Sequence, residues 1–317
     1  MRTLVIQTYR TSEVAPWMQR CLDSVRSWSA LQGYEYEFMD DRIFDLCGAE
    51  YLAGVGDNKR SITNLARLEL ARTRLAQGWE RVVWLDADTF VFAPDRLTID
   101  VTKGYAFAKE AWVWIDPQGR TMTEQGVHNA AFVFAGHHPD LDLLIHAIRH
   151  IVSTRRIHAS YQVGTKLLVG LQYSLDFPVL TNIGMFSPDV MSAIALGQAP
   201  VLAALARASG YPSFAANLCL SLNGGMTREM IRTAMDRLET SRGQVVNQYL
   251  GGGGSDSVAA TVMPARGLVS QSFQLDSPLW LLTRSARLLA VKLLPASVAR
   301  MLRMAQAHLT REVISPQ

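Results

Sequence analysis

Residues 3–92 alternate short apolar runs with stretches of helical periodicity, and few folds accept that order. Thr3 to Tyr9 is rich in β-formers and apolar at its centre, which predicts a buried strand. Pro16 suits the first turn of a helix. Trp17, Cys21, Val25 and Trp28 then repeat on one helical face, and Gly33 ends it. Tyr34 to Met39 alternates like a strand and stops at Asp40-Asp41. Asn64 to Gln77 forms a second helical pattern, ended by Gly78, and Val82 to Phe92 contains a third strand. Strand, helix, strand, helix, strand predicts an α/β fold with an open, mostly parallel sheet flanked by helices. Ligands of such sheets gather at the carboxyl ends of the strands. Asp40, Asp41, Asp86 and Asp88 all fall there.

The later chain is less regular. Tyr105 to Ala108, Ala130 to Phe134 and Phe177 to Thr181 predict short strands. Asp140 to Val152 and Thr227 to Leu238 predict helices, and Gly251 to Gly254 a flexible loop. The pattern divides into one α/β domain over 1–275 and a basic amphipathic helical tail over 276–317. In that tail Leu279, Leu282, Ala286, Leu289 and Leu293 share one face. Trp280, Arg284, Arg287, Lys292, Arg300 and Arg303 suit an anionic membrane surface, which makes 278–311 a candidate interfacial anchor. Packing on the domain is the other reading.

Of the 317 residues, 49% are hydrophobic and 19% charged, so a sizeable core is expected and global disorder is excluded. A net charge of +3 gives no ground for a nucleic-acid partner. Cys21, Cys47 and Cys219 are widely spaced with no CxxC, which excludes a disulfide framework and a thiolate zinc site. No run reaches the ~20 apolar residues of a membrane span. The expected place is the cytoplasm, or the inner face of the cytoplasmic membrane as a peripheral protein.

The chemistry centres on Arg81 to Phe92, RVVWLDADTFVF. Two carboxylates sit two residues apart in an apolar run, where an unpaired one costs several kcal/mol. On a regular strand Asp86 and Asp88 would face the same side. Two hard oxygen donors suit Mg²⁺ or Mn²⁺, which also take phosphate oxygens and water. Capping a strand end or a turn is the bland alternative.

Placed third in a β/α series, Trp84-Leu85-Asp86-Ala87-Asp88 resembles the DxD motif of metal-dependent, GT-A-type glycosyltransferases, in particular the family related to capsular and mannosyl transferases. The resemblance spans about the first two-thirds of the chain. It implies a nucleotide-diphospho-sugar donor, UDP- or GDP-linked, a glycan or lipid-linked acceptor, and Mn²⁺ or Mg²⁺ on Asp86 and Asp88. Ile6 to Tyr9 is similar to the family's opening strand, which places Thr8 and Tyr9 at the nucleoside, with Asp40 and Asp41 after the second strand. Asn64-Leu65-Ala66-Arg67 is similar to its Asp-x-x-Arg helix, so Arg67 is expected near the donor. His128 and Asn129 open the segment similar to the one that carries an Asn beside the donor sugar. Many such enzymes take a third metal ligand from a His, and Asn217 stands at the similar place here.

Asp86-Ala87-Asp88-Thr89 also fits the DxDxT motif of haloacid-dehalogenase-like phosphatases, with Phe177 to Asn182 similar to their second motif. That motif normally occupies the first strand, and no later acidic pair follows Thr181. A glycan-binding module that kept the fold without turnover is the remaining alternative. Glu110, Asp116 and Glu124 are candidate bases for an acceptor hydroxyl, Glu110 first among them. His146 and His150 have metal-chelating spacing on a helix but lack the HExxH glutamate. Arg67 and Arg74 share a helical face.

Overall fold

A computed structural model of the chain describes residues 1–155, 160–175, 178–222, 225–250 and 262–264. The expected glycine loop and the helical tail lie outside the described residues, as does Phe177. Strand β1 (Thr3–Thr8) leads into helix α1 (Pro16–Leu31) and strand β2 (Glu35–Met39), as the pattern predicts. A 3-10 turn, Asp41–Cys47, and a short helix α2 (Ala49–Val55) precede helix α3 (Lys59–Ala76). Helix α3 is longer than the periodicity suggested because Asn58 caps it, its side chain accepting from the Ser61 amide at 3.1 Å.

The third strand is shorter than expected. Strand β3 (Arg81–Leu85) ends before the first aspartate, and strand β4 (Thr89–Val91) resumes in a different sheet. Asp86 to Asp88 make the turn between them, closed by the Thr89 amide donating to the Asp86 carbonyl at 2.9 Å. The pair is therefore presented by a turn and not by the regular strand that the i, i+2 argument required. A charged side chain two from another inside a buried ladder has no water, whereas a turn at the carboxyl end of the strand, open to the cleft, supplies it.

The next two strands are much longer than the short runs read from sequence. Strands β5 (Gly104–Ile115) and β6 (Thr121–Ala135) form one antiparallel hairpin, with a register shift between Phe107 and Ala108. Asp116 organises its turn, accepting from the Gln118 and Arg120 amides at 3.0 and 2.8 Å. Helices α4 (Pro139–Thr154) and α5 (Thr165–Leu175), strands β7 (Pro178–Leu180) and β8 (Ile183–Met185), helices α6 (Pro188–Leu196) and α7 (Ala199–Ser209), strand β9 (Ala215–Asn217), helices α8 (Arg228–Thr240) and α9 (Gln244–Asn247), and strand β10 (Val262–Pro264) complete the described order.

The main sheet has seven strands in the order β10-β7-β5-β6-β3-β1-β2. Strands β2, β1, β3, β5 and β7 share one direction, while β6 and β10 oppose it. The sheet is thus mixed, and mostly parallel in strand direction. A second sheet, β4-β9-β8, lies beside the carboxyl end of β3. One face of the main sheet is covered by α3, α4 and α5 around Leu65, Trp84, Phe107 and Phe132. The other is sealed by α1, whose Val25 and Trp28 are fully buried with Val5 and Val83. The Trp28 indole is also satisfied, donating to the Leu97 carbonyl at 2.9 Å. Among the described residues no helix is long and apolar enough to cross a membrane.

Candidate active site

The carboxyl ends of β1 and β3, the start of α3 and the segment after β9 enclose an open cleft of about 620 Å³. Of the residues singled out from sequence, Thr8, Tyr9, Asp41, Arg67, Asp86, Asp88, Asn129 and Asn217 line it. Asp40, Glu110 and His128 do not.

Asp86 forms the floor. Its amide donates to the Ala130 carbonyl at 2.7 Å, which ties the turn to β6. Its carbonyl accepts from the Gln7 side chain at 3.2 Å, and Gln7 in turn accepts from the Tyr36 hydroxyl at 3.1 Å. One carboxylate oxygen, Oδ1, takes the Trp84 indole N–H at 2.7 Å and an Arg67 N–H at 2.9 Å. Arg67 also donates to the Asn129 carbonyl at 2.6 Å, to Asn64 Oδ1 at 3.2 Å and to the Thr63 carbonyl at 3.2 Å. Asn129 Nδ2 shares Asn64 Oδ1 at 3.0 Å. Arg67, expected near the donor, is thus the strut that fixes Asp86 and Asn129 relative to α3. Arg74 does not join it, because its guanidinium is bound to Glu37 on β2.

Asp88 is held by the second sheet. Its carbonyl accepts from the Leu218 amide at 3.0 Å, and its Oδ1 accepts from Asn217 Nδ2 at 2.6 Å. The orientation of the Asn217 amide follows from its other end, where Oδ1 accepts the Cys219 amide at 2.9 Å. A backbone N–H needs the oxygen there, so nitrogen faces Asp88. Asn217 therefore braces Asp88 and turns away the oxygen that the sequence reading offered as a third ligand.

Little positive charge balances this pair. Burial pushes both carboxyls up; Asp88 rises to about 7, with repulsion from Asp86 as the next cause. Arg67 and the Trp84 indole oppose the rise at Asp86. The Oδ2 atoms of both aspartates have no hydrogen-bond partner among the described residues. Two oxygens with free lone pairs and excess negative charge fit a hard divalent cation, with Asp86 and Asp88 as its protein ligands. Among the described residues no group of three His, Cys, Asp or Glu side chains forms a metal site. His146 and His150 only stack on each other, ring centroids 6.1 Å apart.

The wall opposite carries cations that sequence reading missed. Arg10, Lys59 and Arg60 line the cleft, and Lys59 pairs with Asp41 at 3.4 Å. A legible signal existed: Lys59 and Arg60 occupy the first turn of α3, with no acidic residue there. The helix dipole disfavours cations at that end, so their placement points to an anion nearby. Tyr9, Trp17 and Tyr161 add aromatic surface to the same cleft.

The remaining candidates have other work. Asp40 caps the 3-10 turn, accepting from the Arg42 amide at 3.0 Å, and Arg42 holds its carboxyl below the usual range. The Thr8 hydroxyl donates to the Met39 carbonyl at 2.7 Å. His128 is fully buried; its Nδ1 accepts the Ala130 amide at 3.2 Å, and burial followed by Arg67 lowers its pKa to about 3. It is a neutral imidazole at the register shift of β6, beside Asn129. Glu110 lies in mid-strand on β5, and burial, then Glu124, pushes its carboxyl up to about 7. Burial first, then the charges of Asp88, Glu110 and Asp86, push the Cys219 thiol well above its ordinary value. Thr181 and Asn182, the phosphatase-like second motif, are buried away from the cleft, with Asn182 Nδ2 on the Thr98 carbonyl at 2.7 Å.

No protein-family model matches the sequence, and no curated protein matches it. Among solved structures the chain is similar to a glycosyltransferase involved in the glycosylation of the major capsid of PBCV-1, at 11% identity and a TM-score of 0.30, over 50% of this chain and 68% of that one. Its own geometry defines a mixed α/β protein with a half-buried carboxylate pair and a cationic wall in one cleft.

Proposed function

We propose that the chain is a metal-dependent glycosyltransferase that moves a sugar from a nucleotide diphosphate, UDP or GDP, to a hydroxyl of a glycan or lipid-linked acceptor. The observation that carries this reading is the pairing of opposites in one cleft. An anion site alone needs only Arg10, Lys59 and Arg60, and a cation site alone only Asp86 and Asp88. A diphosphate bridged to a divalent metal uses both.

Bound there, Mn²⁺ or Mg²⁺ would neutralise charge on the departing diphosphate. The chain's own contribution is preorganisation. Arg67 holds Asp86 and Asn129 in place, and Asn217 holds Asp88, before any ligand arrives. Arg10, Lys59 and Arg60 add positive charge where the phosphates develop negative charge. Tyr9 and Thr8 border the nucleoside end, and Asn129 reaches the donor sugar. Glu110, expected as the base for the acceptor hydroxyl, does not line the cleft and is assigned no step there. The tail, 278–311, would hold the protein at an anionic membrane surface where lipid-linked acceptors lie.

The phosphatase reading fares worse on the same contacts. That reading needs its companion motif in the cleft beside Asp86, yet Asn182 is elsewhere, on the Thr98 carbonyl.

Calorimetric titration with UDP and GDP tests the proposal. In Mn²⁺ the affinity should exceed that in EDTA by about tenfold or more, a difference of ~1.4 kcal/mol. Asp88→Ala should remove this metal dependence. Equal affinity with and without EDTA for both nucleotides sinks the reading. Slow Mn²⁺-dependent hydrolysis of UDP- or GDP-sugars would separate a transferase from a binding module that does not turn over.

A further inference from the structure

Asn64 sits where three segments of the cleft meet, and both ends of its amide are engaged. Its Oδ1 accepts from Arg67 Nη2 at 3.2 Å and from Asn129 Nδ2 at 3.0 Å. Its Nδ2 donates to the Ser160 carbonyl at 2.9 Å. Two donors fix the oxygen and one carbonyl fixes the nitrogen, so the amide has a single orientation. Gly164, just before α5, closes over it: a Cβ there would stand 2.7 Å from Asn64 Nδ2 and 3.2 Å from Oδ1. The residue is 7% exposed, so it offers a ligand little surface of its own.

What the amide holds is the 3-10 turn Ser160–Val163. That turn carries Tyr161, which is 50% exposed and lines the cleft, with the Lys166 ammonium over its ring at 4.4 Å. The Gly164 amide donates to the Tyr161 carbonyl at 3.2 Å, which closes the turn on itself. A shift of Ser160 therefore shifts Tyr161. Through Asn64 the turn is tied to Asn129, at the donor-sugar end of the proposed site, and not to Thr8 and Tyr9 at the nucleoside end. An exposed phenol ring offers the C–H face of a sugar a flat apolar surface, and its hydroxyl can pair with the sugar's own. A carboxylate at position 64 could still accept from Arg67 and Asn129. It would, however, set an oxygen against the Ser160 carbonyl, and the turn would lose its tie.

We propose that Tyr161 packs on the sugar of the nucleotide-diphospho-sugar, and that Asn64 is the positioning residue that holds it in register with Asn129. The inference rests on the transferase reading and adds to it a sugar-binding side chain and the contact that places it.

The full chain is titrated calorimetrically in Mn²⁺ with UDP and GDP, then with a panel of UDP- and GDP-hexoses, alongside Tyr161→Ala, Asn64→Asp and Gly164→Ala. Each variant should weaken the parent's best-bound nucleotide-sugar by about tenfold, while affinity for the matching free nucleotide stays within about twofold. Gly164→Ala pushes on Asn64 without changing its chemistry, so it should reproduce the effect of Asn64→Asp. In a Tyr161→Ala background Asn64→Asp should cost less than it does alone, because its route through the ring is gone. Tyr161→Ala changes an exposed position and keeps the test open if a buried substitution fails to fold. A fall of both affinities together in Asn64→Asp, or strict additivity with Tyr161→Ala, overturns the positioning role. Unchanged nucleotide-sugar affinity in Tyr161→Ala overturns the sugar contact, as does a parent that binds nucleotide but no nucleotide-sugar. A parent with no Mn²⁺-dependent nucleotide binding overturns the transferase reading and this inference with it.

Discussion

Asp88→Asn should make the metal-free protein more stable at pH 8 while removing its response to Mn²⁺. The carboxyl of Asp88 is pushed from 3.8 to about 7 by burial and then by Asp86. A raised carboxyl pKa means that the folded chain keeps a proton the unfolded chain has released. The stabilising contribution of the neutral carboxyl is therefore fully present below about pH 4 and is lost as pH rises through about 7. Above that, folding buries an ionised Asp88 beside Asp86. Asparagine has nearly the same shape, carries no charge and can still accept the Asn217 N–H. Three pKa units set an upper limit of ~4 kcal/mol, and solvent at the cleft floor reduces this to about 1–3 kcal/mol. Glu110, also raised to about 7, adds to the pH slope with the same sign. Melting curves in EDTA at pH 5 and pH 8 give the check. The parent should lose stability relative to the variant between the two, and Mn²⁺ at pH 8 should raise the parent's Tm alone. Parallel pH profiles for parent and variant would show that Asp88 is not held against its charge.

The first three strands and two helices were legible because their periodicities do not depend on distant partners. Trp17 to Trp28 repeats on one face whichever sheet covers it, and β1 is apolar because both its sides are packed. The break after Leu85 was not legible, since Val82 to Phe92 reads as one apolar run. Its two halves join different sheets only because β9 arrives, some 130 residues later, to pair with β4. The length of the hairpin was hidden for a related reason. Lys109, Glu110 and Glu124 interrupt its apolar pattern; Glu124 is exposed, while buried Lys109 is tolerated because its ammonium donates to the Ser209 carbonyl at 2.6 Å. At the site, residue type gave Asp86, Asp88 and Arg67, which the structure brings to one cleft, Asp86 bound to Arg67 and Asp88 to Asn217. It could not give the direction of the Asn217 amide, which is set by a backbone N–H two residues on. Nor did it give Arg10, Lys59 and Arg60, although two cations in the first turn of a helix were an anomaly open to reading.

Replacing Arg67 should cost more stability than any other single change at the site. Its guanidinium is buried and donates to Asp86, Asn129, Asn64 and Thr63, and it also lies over the Trp84 ring at 5.4 Å. Alanine removes the only cation in contact with Asp86 among the described residues and strands the Asn129 carbonyl. Breaking a buried pair from one side costs about 3–5 kcal/mol. Lysine does not rescue it, since one ammonium cannot span four acceptors in different directions. The loss should be larger at pH 8 than at pH 5, because without Arg67 the Asp86 carboxyl rises further and its ionised form is penalised over a wider range. The decisive measurement is a double-mutant cycle by chemical denaturation with Arg67→Met and Asp86→Asn. The neutral pair keeps the Trp84 hydrogen bond and leaves no uncompensated charge, so the double variant should recover about 2 kcal/mol relative to the sum of the singles. Strict additivity would mean that Arg67 acts through packing and its backbone acceptors alone, and that Asp86 does not depend on it for its charge. With coupling of that size, Arg67 is the counterion of Asp86, while Asp88 is held by the Asn217 amide and has no ion-pair partner among the described residues.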